Sequence, residues 1–239
     1  MSLILRTLAA SDPGLVRTNN EDVAFAGRRL IAVADGMGGA PAGEVASDIV
    51  IRALAPVERS APDREPLAAL LEAIAAANRG IREVADADPA NEGMGTTVTA
   101  ALLSGDRLAV AHVGDSRGYL MRGGTLRQLT RDDTFVQALV DQGGLTPAEA
   151  RRHPQRSLVT RAVQGAPVEP ATTALTAEPG DRLLLCSDGL SDVVEDHAIA
   201  WALTAHPDRQ QCAEQLVKLV QQAGAPDNVT VVVADVGPE

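Results

Sequence analysis

The stretch Arg29–Ala40, RLIAVADGMGGA, decides how the chain is read. Leu30 to Ala34 is an unbroken apolar run, which predicts a short strand buried in the interior. With no polar transition it meets Asp35 and then Gly36-Met37-Gly38-Gly39. A buried, unpaired carboxylate is expensive, so something positive is expected to meet it there. Glycine after Asp35 would let the backbone bend and turn its own carbonyl toward that partner.

The same pattern recurs along the chain. Leu183–Cys186 leads to Ser187-Asp188-Gly189, Leu108–Val113 leads to Gly114-Asp115, and Pro226-Asp227-Asn228 precedes a β-branched tail. Any one of these aspartates reads well as turn chemistry. Together they differ, because strands packed side by side gather their ends, and clustered carboxylates repel unless neutralised. Oxygen donors without Cys or His suit hard cations, Mn2+ or Mg2+. Two such ions sharing a water can activate it for in-line displacement at phosphorus. Phosphate oxygens also want a guanidinium, and Arg17 offers one. The Asn19-Asn20-Glu21-Asp22 run after it reads either as a solvated loop or as acids bonded to metal-held waters. Spacing leaves both readings open.

Composition narrows the class. Among 239 residues, 32 acidic side chains face 21 basic ones, a net charge of -11, which argues against a nucleic-acid partner. With 45% apolar but only 2% aromatic residues, the core must be Leu, Val, Ile and Ala. Cys186 and Cys212 sit in apolar settings and read as buried small hydrophobes, which suits a reducing compartment. The start, MSLILRTLAASD, lacks the length and cleavage site of a signal peptide, and no run reaches the ~18 apolar residues of a membrane span. A cytoplasmic chain is expected, with anchoring only in a longer parent.

Strands are expected at 29–35, 95–103, 107–113, 182–187 and from Asn228 to Val236. Ser104-Gly105-Asp106 and Gly123-Gly124 are expected hairpin turns. Pro41 can open a helix carrying Val45, Ile49 and Leu54; Pro66 opens one carrying Leu67, Leu70, Leu71, Ile74, Ile81 and Val84. Pro207 can open a third, with Cys212, Leu216, Leu219 and Val220 inward and Gly224 as its stop. Strands and helices alternate in blocks, which favours antiparallel sheets covered by helices within one domain, 1–239. Residues 130–164 are polar and helix-patchy and read as a surface flap.

These residues resemble the metal-dependent protein phosphatases (PPM family, protein phosphatase 2C type), in the bacterial branch and most like actinobacterial Ser/Thr phosphatases. The matching stretches are SDPGLVRTNNED, ADGMGGAPAGEVAS, GMGTTVTAALL, AHVGDSRGYL, LTRDDTF, HPQRSLVTRAVQG, GDRLLLCSDGLSD and PDNVTVVV, in family order. The resemblance implies an α+β fold, a four-layer α-β-β-α sandwich with two central, mainly antiparallel sheets and a small flap subdomain. It implies two catalytic Mn2+ or Mg2+ ions bridged by Asp35, with Gly36 donating its carbonyl and Asp188 and Asp227 completing the first site. Asp115 with Asp188 matches the ligands of a third, weaker ion, with Ser157 as its neighbour. Arg17 resembles the phosphate-binding arginine, and Glu21 and Asp22 the acids behind the metals.

The implied activity is hydrolysis of phosphoserine and phosphothreonine by a metal-bridging water. Its partners would be phosphorylated proteins, including Ser/Thr kinases and their substrates, acted on by a monomer. The competing reading is a catalytically impaired, phosphatase-like regulatory module, which would be expected to have lost metal aspartates. One departure stands out. Animal members carry a histidine just after the Asp-Gly pair as proposed general acid, and here that place is Met37, which has no proton to give. His112 reads as a strand-core residue, His153 belongs to the flap, and His197 and His206 read as helix-surface residues. No general acid is assigned.

Overall fold

A computed structural model describes residues 2–39, 42–59 and 65–239. In chain order its elements are β1 (Leu3–Asp12), β2 (Asp22–Ala26), β3 (Leu30–Met37), α1 (Ala42–Leu54) and α2 (Pro66–Ala87). Then come β4 (Gly95–Thr96), β5 (Val98–Ser104), β6 (Arg107–Val113), β7 (Arg117–Arg122), β8 (Thr125–Gln128), α3 (Phe135–Asp141) and α4 (Pro147–Ala150). The chain ends with β9 (Ala171–Thr176), β10 (Arg182–Cys186), α5 (Asp188–Ser191), α6 (Asp196–Ala205), α7 (Arg209–Gln222) and β11 (Val229–Pro238).

The strands form two sheets, β1-β11-β10-β7-β8 and β2-β3-β5-β6-β9, with β4 paired to the end of β3. Every described pairing is antiparallel. Antiparallel strands often show one polar face, yet these read as continuous apolar runs, and the layering explains why. Along β3, Ile31 and Val33 point between the sheets, while Leu30, Ala32 and Ala34 point under α1 and α2. Along β11, Val232, Ala234 and Val236 face the opposite sheet, and Val229, Val231 and Val233 face α6 and α7. Successive side chains alternate faces, and here both faces are covered. The result is the expected α-β-β-α sandwich.

Both expected hairpins form, with Gly105 at φ 64 and Gly123 and Gly124 at φ 57 and φ 80, values that favour glycine. Other details differ from expectation. The proposed helix start at Pro41 lies outside the described residues. In α1 the fully buried line is Ala46, Val50 and Leu54 with Ser47, whereas Val45 and Ile49 are half-buried at its flank. Small Ala46 and Ser47 let the helix lie close on the sheet, so the larger residues are turned to the side. Likewise Leu219 is only half-buried beside Leu216 and Val220. Two strands went unread, β1 and β9. Each is at a sheet edge with few fully buried positions, so neither carries an apolar run.

Register carries the site. Cys186 near the end of β10 pairs with Val231 near the start of β11 and with Arg117 at the start of β7. Asp12, ending β1, pairs with Val229, and Asp22, opening β2, pairs with Asp35 on β3. The segments bearing Arg17, Asp22, Asp35, Asp115, Asp188 and Asp227 therefore come together at one end of the sandwich.

Candidate active site

Asp35 is held by its backbone on both sides. Its N–H donates to Thr97 Oγ1 at 3.1 Å, and its carbonyl accepts from Thr97 N and from Thr96 Oγ1, each at 2.9 Å. The strand does not bend at Gly36, contrary to expectation; it continues to Met37, pairing Gly36 with Thr96 and Met37 with Gly95. Glycine is needed at 36 for closeness instead. A Cβ there would collide with the Gly43 carbonyl in the first turn of α1 and reach 2.8 Å from the Glu21 carbonyl. The turn comes later, at Gly38 and Gly39, with φ 118 and φ 77.

The other carboxylates are placed by similar close packing. Asp188 begins α5 directly after β10, and a Cβ at Gly189 would collide with the carbonyl of Asn228. That contact presses the first turn of α5 against the segment bearing Asp227. Asp115 follows β6 and is buried. Asp22 is buried as well; its Oδ2 accepts from Ser187 Oγ at 2.8 Å, while its Oδ1 has no hydrogen-bond partner. Glu21 accepts from Asn19 Nδ2 at 2.7 Å, and a Cβ at Gly43 would strike its carboxylate, so Glu21 sits over the N-terminal turn of α1. That end of a helix favours negative charge.

Electrostatically these acids form one unit. Burial, then Asp22, Asp188, Asp115 and Asp227, hold the Asp35 carboxyl well above the usual carboxylate range. Burial, then Asp115, Asp192 and Asp227, do the same to Asp188. Burial and neighbouring Asp132 and Asp192 push Asp115 up to about 7, and burial pushes Asp22 up to about 6. Buried carboxylates raising one another, one with an orphan oxygen, are what a site for hard cations requires. The all-oxygen donor set fits Mn2+ or Mg2+. Among the described residues no three such side chains already close on a common point as a finished cage would. The arrangement is a set of mutually repelling carboxylates around the end of the sandwich.

Arg17 lies on the loop after β1, half-exposed, with Nη2 donating to Asp227 Oδ2 at 2.8 Å. Asn228 pins that loop. Its Nδ2 donates to Pro13 O at 3.0 Å and Asn19 O at 2.8 Å, while its Oδ1 accepts from Glu21 N at 2.9 Å. Asn228 went unnoticed as a site residue, although it stood inside the motif PDN.

Ser157 lies in the flap and donates to Asp192 Oδ2 at 3.2 Å. Its described partner is thus Asp192, which acts electrostatically on both Asp115 and Asp188. Asp192, in SDGLSD, was also missed; four residues after Asp188, at the end of the short α5, it shares that residue's side of the turn. The flap begins at a buried ion pair, Arg117 Nη2 to Asp132 Oδ2 at 2.7 Å.

Among the histidines, His112 is buried, bonded to Thr99 Oγ1 at 2.8 Å and Arg131 O at 3.1 Å, as a strand-core residue would be. Burial lowers its pKa and favours the neutral ring. His153 lies in the flap and His197 on α6, exposed. His206 follows α6, half-buried, its ring 5.5 Å from that of Trp201.

Comparison with known proteins agrees with this picture. A family model for protein phosphatase 2C matches residues 18–225. The Mycobacterium tuberculosis protein named serine/threonine protein phosphatase PstP is 56% identical over 236 residues, 99% of this chain. The chain spans 46% of that protein's length, about half of it. Protein phosphatase PhpP of Streptococcus pneumoniae is 36% identical over 241 residues, covering 96% of each chain. A crystal structure of the mycobacterial phosphatase superposes with a TM-score of 0.96 at 55% identity, covering 98% of this chain and 100% of that one. A second, described as the PstP catalytic domain with 2 manganese ions, gives 0.94 at 53% identity over 99% and 100%. On sequence and on structure alike, this chain belongs to the protein phosphatase 2C family.

Proposed function

We propose that residues 1–239 form one metal-dependent catalytic domain, with 130–164 as its flap, that hydrolyses phosphoserine and phosphothreonine in proteins. One observation carries this reading above all: five carboxylates, Asp22, Asp35, Asp115, Asp188 and Asp227, gather at one end of the sandwich beside Arg17. The manganese ions of the PstP catalytic domain support the choice of metal. Asp35, Gly36, Asp188 and Asp227 are the residues for two ions, and Asp115 with Asp188 for a third, with Ser157 and Asp192 at its edge. Bound there, Mn2+ or Mg2+ supplies a Lewis acid and a water of lowered pKa.

The chain's own groups do the rest. Arg17, half-exposed and tied to one carboxylate oxygen, can pair with phosphate oxygens without a buried partner being left behind. Asn228 fixes the loop that carries it. Glu21 and Asp22 stand behind the ligands, where they accept hydrogen bonds that orient water. Met37 cannot protonate the leaving serine or threonine oxygen, and His112 is engaged at both ring nitrogens, so neither side chain is the general acid. Retention of every aspartate together with Arg17 favours catalysis over an impaired binding module. Phosphorylated proteins are the substrates, with Ser/Thr kinases and their targets the class that suits such chemistry. We take the chain to act as a monomer in the cytoplasm; separately, among the described residues no helix is long and apolar enough to cross a membrane.

The test is phosphate release from a phosphothreonine peptide and from p-nitrophenyl phosphate with Mn2+ added back after chelation. Turnover is expected only with the metal, and Asp35→Asn or Asp188→Asn should lower it about a thousandfold or more while the fold is kept. Equal turnover by the exhaustively chelated protein would reject the mechanism.

A further inference from the structure

Among the described residues four large hydrophobic side chains are exposed: Leu15 at 69%, Val16 at 68%, Leu158 at 48% and Trp201 at 52%. Two of them directly precede Arg17, on a loop whose backbone is held in place by several contacts. Gly14 sits at φ 78, and a Cβ there would collide with the carbonyl of Asp227. Gly14 N donates to Asp12 Oδ1 at 2.8 Å and Leu15 N to Ala225 O at 2.9 Å. Asn228 Nδ2 holds Pro13 O on one side of the pair and Asn19 O on the other. A loose loop would fold such side chains away from water; this one presents them. Ala225, which receives the Leu15 N–H, is itself held at φ 36, a left-handed conformation rare outside glycine.

We propose that Leu15 and Val16 form an apolar ledge that reads the residue beside the phosphorylated one and selects protein segments with an aliphatic side chain there. The proposal rests on the phosphatase reading. If Arg17 holds the phosphoryl group, chain connectivity places the substrate's flanking residues over the surface next to Arg17, because consecutive Cα atoms are only about 3.8 Å apart. Leu15 and Val16, exposed and immediately before Arg17 in the chain, are the apolar side chains nearest to it in sequence. Burying an aliphatic neighbour against two aliphatic side chains removes apolar area from water on both partners, which a charged or small polar neighbour cannot match. The ledge thus supplies selectivity, while the carboxylates and Arg17 supply the chemistry.

The experiment compares two phosphothreonine peptides, identical but for Leu or Glu on either side of the phosphothreonine. Wild-type protein with Mn2+ should prefer the Leu peptide in kcat/KM by about tenfold. Leu15→Ser with Val16→Ser should bring that ratio to within about twofold of unity, with p-nitrophenyl phosphate turnover kept within about twofold. Trp201→Ser, which removes an exposed hydrophobic on α6, should leave the ratio unchanged. No preference in wild-type protein, or a preference that survives the double substitution, overturns the ledge. Absence of wild-type turnover of p-nitrophenyl phosphate would instead overturn the phosphatase reading, and the ledge with it.

Discussion

Two arginine–carboxylate pairs of nearly equal length do opposite work in this molecule. Arg17 and Asp227 meet at 2.8 Å with 54% and 37% of their side chains exposed. Arg117 and Asp132 meet at 2.7 Å with 16% and 10% exposed. In the second pair Arg117 Nε and Nη2 both reach the carboxylate, Nη1 reaches Tyr119 OH at 3.2 Å, and Gln128 Nε2 donates to Asp132 Oδ1 at 3.1 Å. Every atom is engaged, and the pair fastens the flap to β7. The first pair is a single contact in water, screened and readily exchanged. Same chemistry, different burial: one pair is a fastener, and the other is an exposed contact free to exchange its partner.

If burial makes this difference, Arg117→Ala has the largest effect on stability. It strands a buried carboxylate, and a loss of about 3–5 kcal/mol in denaturant unfolding is expected. Arg17→Ala should change stability by no more than about 0.5 kcal/mol but raise KM for p-nitrophenyl phosphate about tenfold. Equal destabilisation by the two substitutions would erase the distinction.

Smaller effects sharpen the contrast between the acid cluster and the fasteners. Without metal, Asp35→Asn should stabilise the protein by about 1 kcal/mol, lifting Tm by about 2–4 °C, because it removes a buried like charge. The Asp35 carboxyl has a folded pKa above its unfolded one, so its contribution is present at low pH and lost as pH rises through the folded value. Asp22, up to about 6, and Asp115, up to about 7, act in the same direction. Chelated wild-type protein should therefore lose stability from pH 4 to pH 7, about the span between ordinary and raised carboxylates, and Asp35→Asn should flatten that slope. Ala225→Gly is the mildest change. Relief of the left-handed backbone and added chain entropy nearly cancel, leaving thermal stability within about 0.5 kcal/mol.

Much of this was legible in the sequence because both faces of the central strands are covered. β3, β5, β6, β10 and β11 appear as largely apolar runs, and Asp35, Asp115, Asp188 and Asp227 lie in them or within a few residues of their ends. β1 and β9 escaped because edge strands bury few positions and leave no run to see. The role of Gly36 was misread for a different reason. Asp-Gly suggests a bend, whereas the glycine is demanded by Gly43, a neighbour that only the packing of α1 onto β3 brings near. Asn228 and the buried Arg117–Asp132 pair act through contacts between segments far apart in the chain or joined only at the flap, and local pattern does not report those.

The central claim is that the strand-end aspartates exist to hold metal. Anomalous diffraction from crystals grown with Mn2+ tests it most directly. Peaks are expected in contact with Asp35, one of them shared with Asp188 and Asp227. Crystals of protein fully active with Mn2+ that show no peak at this cluster would contradict it.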